Sequence, residues 1–125
     1  MALTATYANP IVVTQTVSQG GAATGTTVST LTRPLTVVDF QGYVTAVTAG
    51  GDITLQLASA SGNIMPAAVP QTTQATDKEI IRATALDNAH WTAAAGTTLT
   101  TTITRNAGVA TTGVANVNIT CIDAS

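Results

Sequence analysis

Three separate stretches of this chain alternate apolar and polar residues with a period of two, and that period constrains the fold more than any other feature. In residues 52–58, Ile53, Leu55 and Leu57 fall on one face while Asp52, Thr54 and Gln56 fall on the other. In residues 97–104, Leu99, Thr101 and Ile103 share a face, and in 114–122 Val117, Ile119 and Cys121 do. Successive side chains of a strand point to opposite sides of a sheet, whereas a helix repeats only every ~3.6 residues, so these stretches read as half-buried strands. The residue types agree. Threonine is the most frequent residue, and most large apolar residues are Val, Ile or Leu, which suit a pleated surface. Lys78 is the only lysine and Glu79 the only glutamate, so the Glu–Lys pairs that support exposed helices are almost missing.

The remaining segments extend the same pattern. Residues 11–18 read as a strand with Ile11, Val13 and Val17 on one face, followed by a glycine-rich loop over 19–25. A second strand is expected over 26–32, ended by Arg33-Pro34 because proline removes a ladder donor. Residues 35–48 form the longest β stretch, with Val38, Phe40, Val44 and Ala46 on one face and Gly42 marking a bulge or bend. Ala49-Gly50-Gly51-Asp52 then predicts a hairpin joining 35–48 to 52–58. Gly62, Pro66, Pro70 and the polar run Gln71-Thr72-Thr73-Gln74 make 59–76 a long surface excursion. Residues 78–85 fit a strand or a short helix, the strand being preferred, and 105–108 read as a turn. Short strands separated by turn signals, with no helical period between them, imply an all-β antiparallel sandwich, with the jelly roll as its favoured form.

At 125 residues the chain matches one β domain spanning 1–125, with residues 1–10 as an extended N-terminal arm. Only 8% of residues are charged, against about 25% in ordinary domains, so hydroxyls and amides must solvate the surface. A small domain held by packing alone gains from burying surface against identical copies, which points to a homo-oligomer. The net charge is -2, and the basic residues Arg33, Lys78, Arg82 and Arg105 are dispersed, which argues against nucleic acid as a partner. No apolar run approaches the ~20 residues that span a bilayer, so no membrane partner is expected. Met1-Ala2-Leu3-Thr4 lacks a basic n-region and an apolar h-region, which reads as synthesis and assembly in a cytoplasm. Cys121 is the sole cysteine and excludes an internal disulfide.

No residue pattern marks a catalytic, cofactor or metal site, and the chain is read as a non-enzyme. His90, the only histidine, sits beside Trp91 and three residues after Asp87; it reads as a loop imidazole next to an indole anchored in the core. A Ser-His-Asp set would need a nucleophile that only folding can supply. Cys121 shares parity with Val117 and Ile119 and is expected to point inward as a small hydrophobe. Gly20 to Gly25 has the spacing of a phosphate loop, but Thr26 stands where lysine is needed. Asn118-Ile119-Thr120 matches a glycosylation sequon by chance. Aromatic faces for carbohydrate are few, with Tyr43 and Trp91 the candidates.

The segments Val38-Asp39-Phe40-Gln41-Gly42-Tyr43-Val44, Asp52-Ile53-Thr54-Leu55-Gln56-Leu57 and Ala95-Gly96-Thr97-Thr98-Leu99-Thr100-Thr101-Thr102-Ile103 resemble the small jelly-roll modules of virions. In particular, the chain is similar to the short decoration or cement proteins that sit as trimers on tailed-bacteriophage capsids. The resemblance implies a non-enzymatic structural virion protein that decorates and stabilises the capsid exterior by binding the major capsid protein, as a homotrimer. The low charge then requires hydrogen bonds and apolar contacts rather than ion pairs at the shell. The arm and the 59–76 excursion supply the expected partner contacts, Leu3, Tyr7, Ile64, Met65 and Val69, because they carry apolar area with little charge. The alternative is an adhesin, fibre or carbohydrate-binding β-sandwich module. An ice-binding protein, suggested by threonine at alternate positions over 98–104, is disfavoured by the lack of a fixed-length repeat.

Overall fold

The computed structural model describes residues 10–19, 22–48, 53–71, 80–83, 85–105 and 112–124, with the main chain alone for 47, 48, 69–71 and 112. Within them the chain is built of strands: β1 (Ile11–Ser18), β2 (Thr24–Thr30), β3 (Leu35–Thr48), β4 (Ile53–Ser59), β5 (Gly62–Asn63), β6 (Val69–Gln71), β7 (Ile80–Arg82), β8 (Thr92–Ala93), β9 (Thr98–Arg105) and β10 (Thr112–Asp123). They form two antiparallel sheets. Sheet A runs β1-β10-β3-β7, with β8 also on β3; sheet B runs β2-β9-β4-β5, with β6 also on β4. Taking β5 with β6 and β7 with β8 as single interrupted strands leaves eight, ordered 1-8-3-6 and 2-7-4-5. That order is the jelly roll, two Greek keys wrapped face to face.

The period-2 faces meet in the middle of this sandwich. Ile53, Leu55, Leu57, Leu99, Ile103, Val117, Ile119 and Cys121 are all fully buried, in one cluster with Val17, Val37, Phe40 and Val44. The preferred strand over 78–85 is present as β7, with Ile81 buried and Ile80 exposed.

The hairpin expected between 35–48 and 52–58 is not formed. β3 pairs with β10, β7 and β8, and β4 pairs with β9, β5 and β6, so the chain passes from one sheet to the other between them. Ala49-Gly50-Gly51-Asp52 lies outside the described residues. A reversing signal does not say whether the returning strand lies beside its predecessor or across from it. Here both strands have an apolar face to bury, and crossing lets each cover the other. Gly42 marks where they approach: a Cβ built there would come 2.4 Å from Leu55 Cδ1. Its role is therefore close packing, not a bulge.

The bulges fall elsewhere. The register with β10 skips Val38 between Thr120 and Cys121, and skips Thr45 between Val114 and Ala115. Each extra residue reverses the parity of β3. Leu35 and Val37 point inward before the first bulge, and Phe40 and Val44 point inward after it, while Val38 is 43% exposed. Ala46, beyond the second bulge, is exposed. Val38 and Ala46 thus leave the inward face expected for them, and Phe40 and Val44 keep it.

At the closing edge, where β1 approaches β2, the interior is polar. The parity that joins Ile11, Val13 and Val17 also includes Gln15, which is buried. Opposite it the inward residues of β2 are Gly25, Thr27 and Ser29, too small to fill the layer with apolar atoms. The Gln15 amide fills it instead: Nε2 donates to Ser29 Oγ at 2.9 Å and to the Leu99 carbonyl at 3.1 Å, and Oε1 accepts from the fully buried Thr101 hydroxyl at 2.5 Å. One side chain of sheet A thereby holds two strands of sheet B.

Candidate functional site

The expected contact residues separate on inspection. Ile64 and Met65 are 0% and 1% exposed and belong to the core. The described part of the excursion, 59–71, is therefore not a free surface segment. β5 and β6 fold back on β4, and the amides of Ile64 and Met65 both donate to the Leu57 carbonyl at 2.9 and 3.3 Å, which lays the two side chains under the sheet. Ile64 and Met65 are thus core residues and not the partner contacts expected of them. The side chain of Val69 and residues Leu3 and Tyr7 lie outside the described residues, as do most of the arm over 1–10 and residues 106–111.

Folding does bring a serine to His90. The β4–β5 turn places Ser61 Oγ 3.2 Å from His90 Nδ1, and Asp87 Oδ2 stands 3.9 Å from Nε2. The carboxylate distance exceeds a hydrogen bond. The Ser61 hydroxyl is shared with Ser59 Oγ at 3.0 Å, and Ser59 Oγ donates to the His90 carbonyl at 2.8 Å. Asp87 Oδ1 caps its own turn through the Ala89 amide at 2.9 Å. The imidazole lies over Gly62, whose φ of 152° is one that L side chains rarely adopt, and a Cβ there would come 2.9 Å from the ring. This arrangement clamps the 85–91 loop onto the β4–β5 turn. Beside it, Trp91 is half-buried against the core, as expected for an anchoring indole, and its main-chain carbonyl accepts from the Val37 amide at 2.8 Å. Only folding could have revealed Ser61, because it lies 29 residues from His90.

The outward faces of the two sheets differ in chemistry. On sheet B, outward positions of β2, β9 and β4 align as Thr24–Thr104–Thr54, Thr26–Thr102–Gln56 and Val28–Thr100–Ala58, with Thr30–Thr98 beyond. This face carries no ionisable side chain on those three strands. On sheet A the outward positions carry amides, Tyr43, Arg82 and Asp39. Elsewhere, Arg33 pairs with Asp123 at 3.6 Å on the exposed rim. Among the described residues no cluster of three or more His, Cys, Asp or Glu side chains has the placement of a metal site. Cys121 is buried, and desolvation pushes its thiol up to about 11 from 9.0, so it is held as a neutral apolar group.

No known protein-family model matches the chain, and no curated protein resembles it closely enough to count as a relative.

Proposed function

We propose that this chain is a non-catalytic structural protein of a tailed-bacteriophage particle, decorating and stabilising the capsid exterior by binding the major capsid protein. The observation that supports it best is the strand order, because a jelly-roll wrap is a recurrent module of virions and is what the sequence resemblance implies. The uncharged threonine face of sheet B adds support: it offers hydroxyls and methyl groups over three strands, the kind of surface that docks by hydrogen bonds and packing. The subunit assembles as a homo-oligomer, a trimer on the strength of the resemblance. Attachment runs through this face together with the N-terminal segment, where Leu3 and Tyr7 supply apolar area.

Contacts of this kind are insensitive to salt. At about 1 M ionic strength the Debye length falls to ~3 Å, which weakens exposed ion pairs but not apolar contacts. Purified particles washed at that ionic strength are expected to keep the chain bound, and deletion of residues 2–10 is expected to lower its occupancy while the free domain stays folded by circular dichroism. Release by salt with the deletion variant still fully bound would overturn the attachment mode.

A further inference from the structure

The outward face of sheet A carries two complete cross-strand rows. Thr14, Asn118, Gln41 and Arg82 stand opposite one another across β1, β10, β3 and β7, and Thr16, Asn116, Tyr43 and Ile80 form the neighbouring row. Directly opposed side chains on a sheet start ~4.5–5.5 Å apart and diagonal ones ~7–8 Å apart, so Tyr43 adjoins Asn116 and is within reach of Asn118. Two of the amides are oriented by the sheet itself. Thr16 Oγ1 donates to Asn116 Oδ1 at 3.0 Å, which leaves the Asn116 NH2 group to donate outward. Arg82 Nη2 donates to Gln41 Oε1 at 3.1 Å, which does the same for the Gln41 NH2 group. Between β1 and β10 lies a shallow depression of about 360 Å³, edged by Thr14, Thr16, Asn116 and Asn118. Beside it, Tyr43 and Ile80 are 39% and 59% exposed and make a small apolar shelf.

We propose that this face binds a neutral oligosaccharide, with a sugar ring resting on Tyr43 and its hydroxyls read by Asn116, Asn118 and Gln41. A pyranose presents an apolar C–H side and a rim of hydroxyls that both donate and accept. The matching surface is an aromatic ring flanked by planar amides, and the two rows supply this with Asn116 and Gln41 oriented by the sheet. Charge complementarity points the same way. The one cation of the rows, Arg82, is engaged with Gln41, so the face has no cluster of cations for an anionic ligand. The site stands independently of attachment to a capsid, which uses the other sheet.

Titration calorimetry with cellohexaose, maltohexaose, mannohexaose and N-acetylchitohexaose tests it. At least one binds saturably; Tyr43→Ala and Asn118→Ala each weaken that binding by roughly 10-fold or more, as expected for residues at the centre of a small site. Tyr43→Phe retains most of the affinity, and Val28→Ala on the opposite sheet changes nothing. Circular dichroism and melting curves confirm that each variant is folded. Saturable binding to none of the four sugars would overturn the proposal, and so would binding that both Tyr43→Ala and Asn118→Ala leave unchanged. If the sugars fail while those substitutions release the chain from particles, the face belongs to a protein partner and the proposal is overturned.

Discussion

The polar bridge at the closing edge of the sandwich can be taken apart one group at a time. Thr101→Val removes the donor to Gln15 Oε1, in a place where Thr101 is 0% and Gln15 5% exposed, so water cannot replace it. An unsatisfied buried acceptor costs about 1–3 kcal/mol. Gln15→Leu strands the Thr101 hydroxyl and removes the donor to the Leu99 carbonyl, a loss on the same scale that the added apolar surface partly offsets. Each single variant is therefore expected to lose about 2 kcal/mol, or roughly 6–10 °C of melting temperature in a domain of this size. In the double variant the Thr101–Gln15 pair gives way to two apolar side chains, which is close to neutral, and the cost that remains is that of the Leu99 carbonyl and Ser29 hydroxyl left without Gln15. The loss is then no larger than that of one single variant, about 2 kcal/mol, and not the additive 4 or so. Guanidinium unfolding of all four proteins, followed by circular dichroism, gives the cycle. A double variant that loses the sum of the two singles to within ~0.5 kcal/mol would refute the coupling and with it the role of Gln15 as a bridge between sheets.

The packing makes further predictions. Gly42→Val brings its Cβ into a clash with Leu55 Cδ1 and costs about 1–3 kcal/mol, a loss that the second change Leu55→Ala relieves in part when measured in the same unfolding assay. Ile64→Ala lowers the unfolding free energy by about 2–5 kcal/mol because it opens a cavity in the core; an unchanged melting temperature would return Ile64 to the surface. The Cys121 thiol has its folded pKa raised from 9.0 to about 11 by burial. The unfolded chain loses that proton first, so the native state binds more protons in this window and the stabilisation present below pH 9 disappears as pH rises to about 11. The unfolding midpoint of wild type should fall more steeply than that of Cys121→Val between these two pH values.

Strand positions were legible wherever one face of a strand is buried and the other wet, as in β4, β9 and β10, because the alternation records that asymmetry directly. Partnership between strands was not. β3 and β4 follow one another through a turn signal, yet lie in opposite sheets, since local sequence encodes a reversal and the choice of partner depends on which distant face needs covering. Bulges were equally hidden: Val38 looks like a core residue until its displacement against Thr120 and Cys121 turns it outward. Ile64 and Met65 were misplaced because the nearby prolines and Gly62 suggested a loop without showing that the loop tucks under β4. On the surface, neither Tyr43 beside Asn116 nor Ser61 beside His90 can be inferred from spacing, because strand register assembles the first pair and the packing of two turns far apart in sequence the second.

The most direct test of the account is the composition of particles. Tailed phage purified from a host expressing this chain, by density gradient and then by size exclusion, is to be analysed by quantitative mass spectrometry against the major capsid protein. A subunit bound to the capsid stays with the particles through both steps at a constant ratio to the major capsid protein, identical from one preparation to the next. A ratio that falls towards zero with each purification step, while the shell protein is retained, would contradict it.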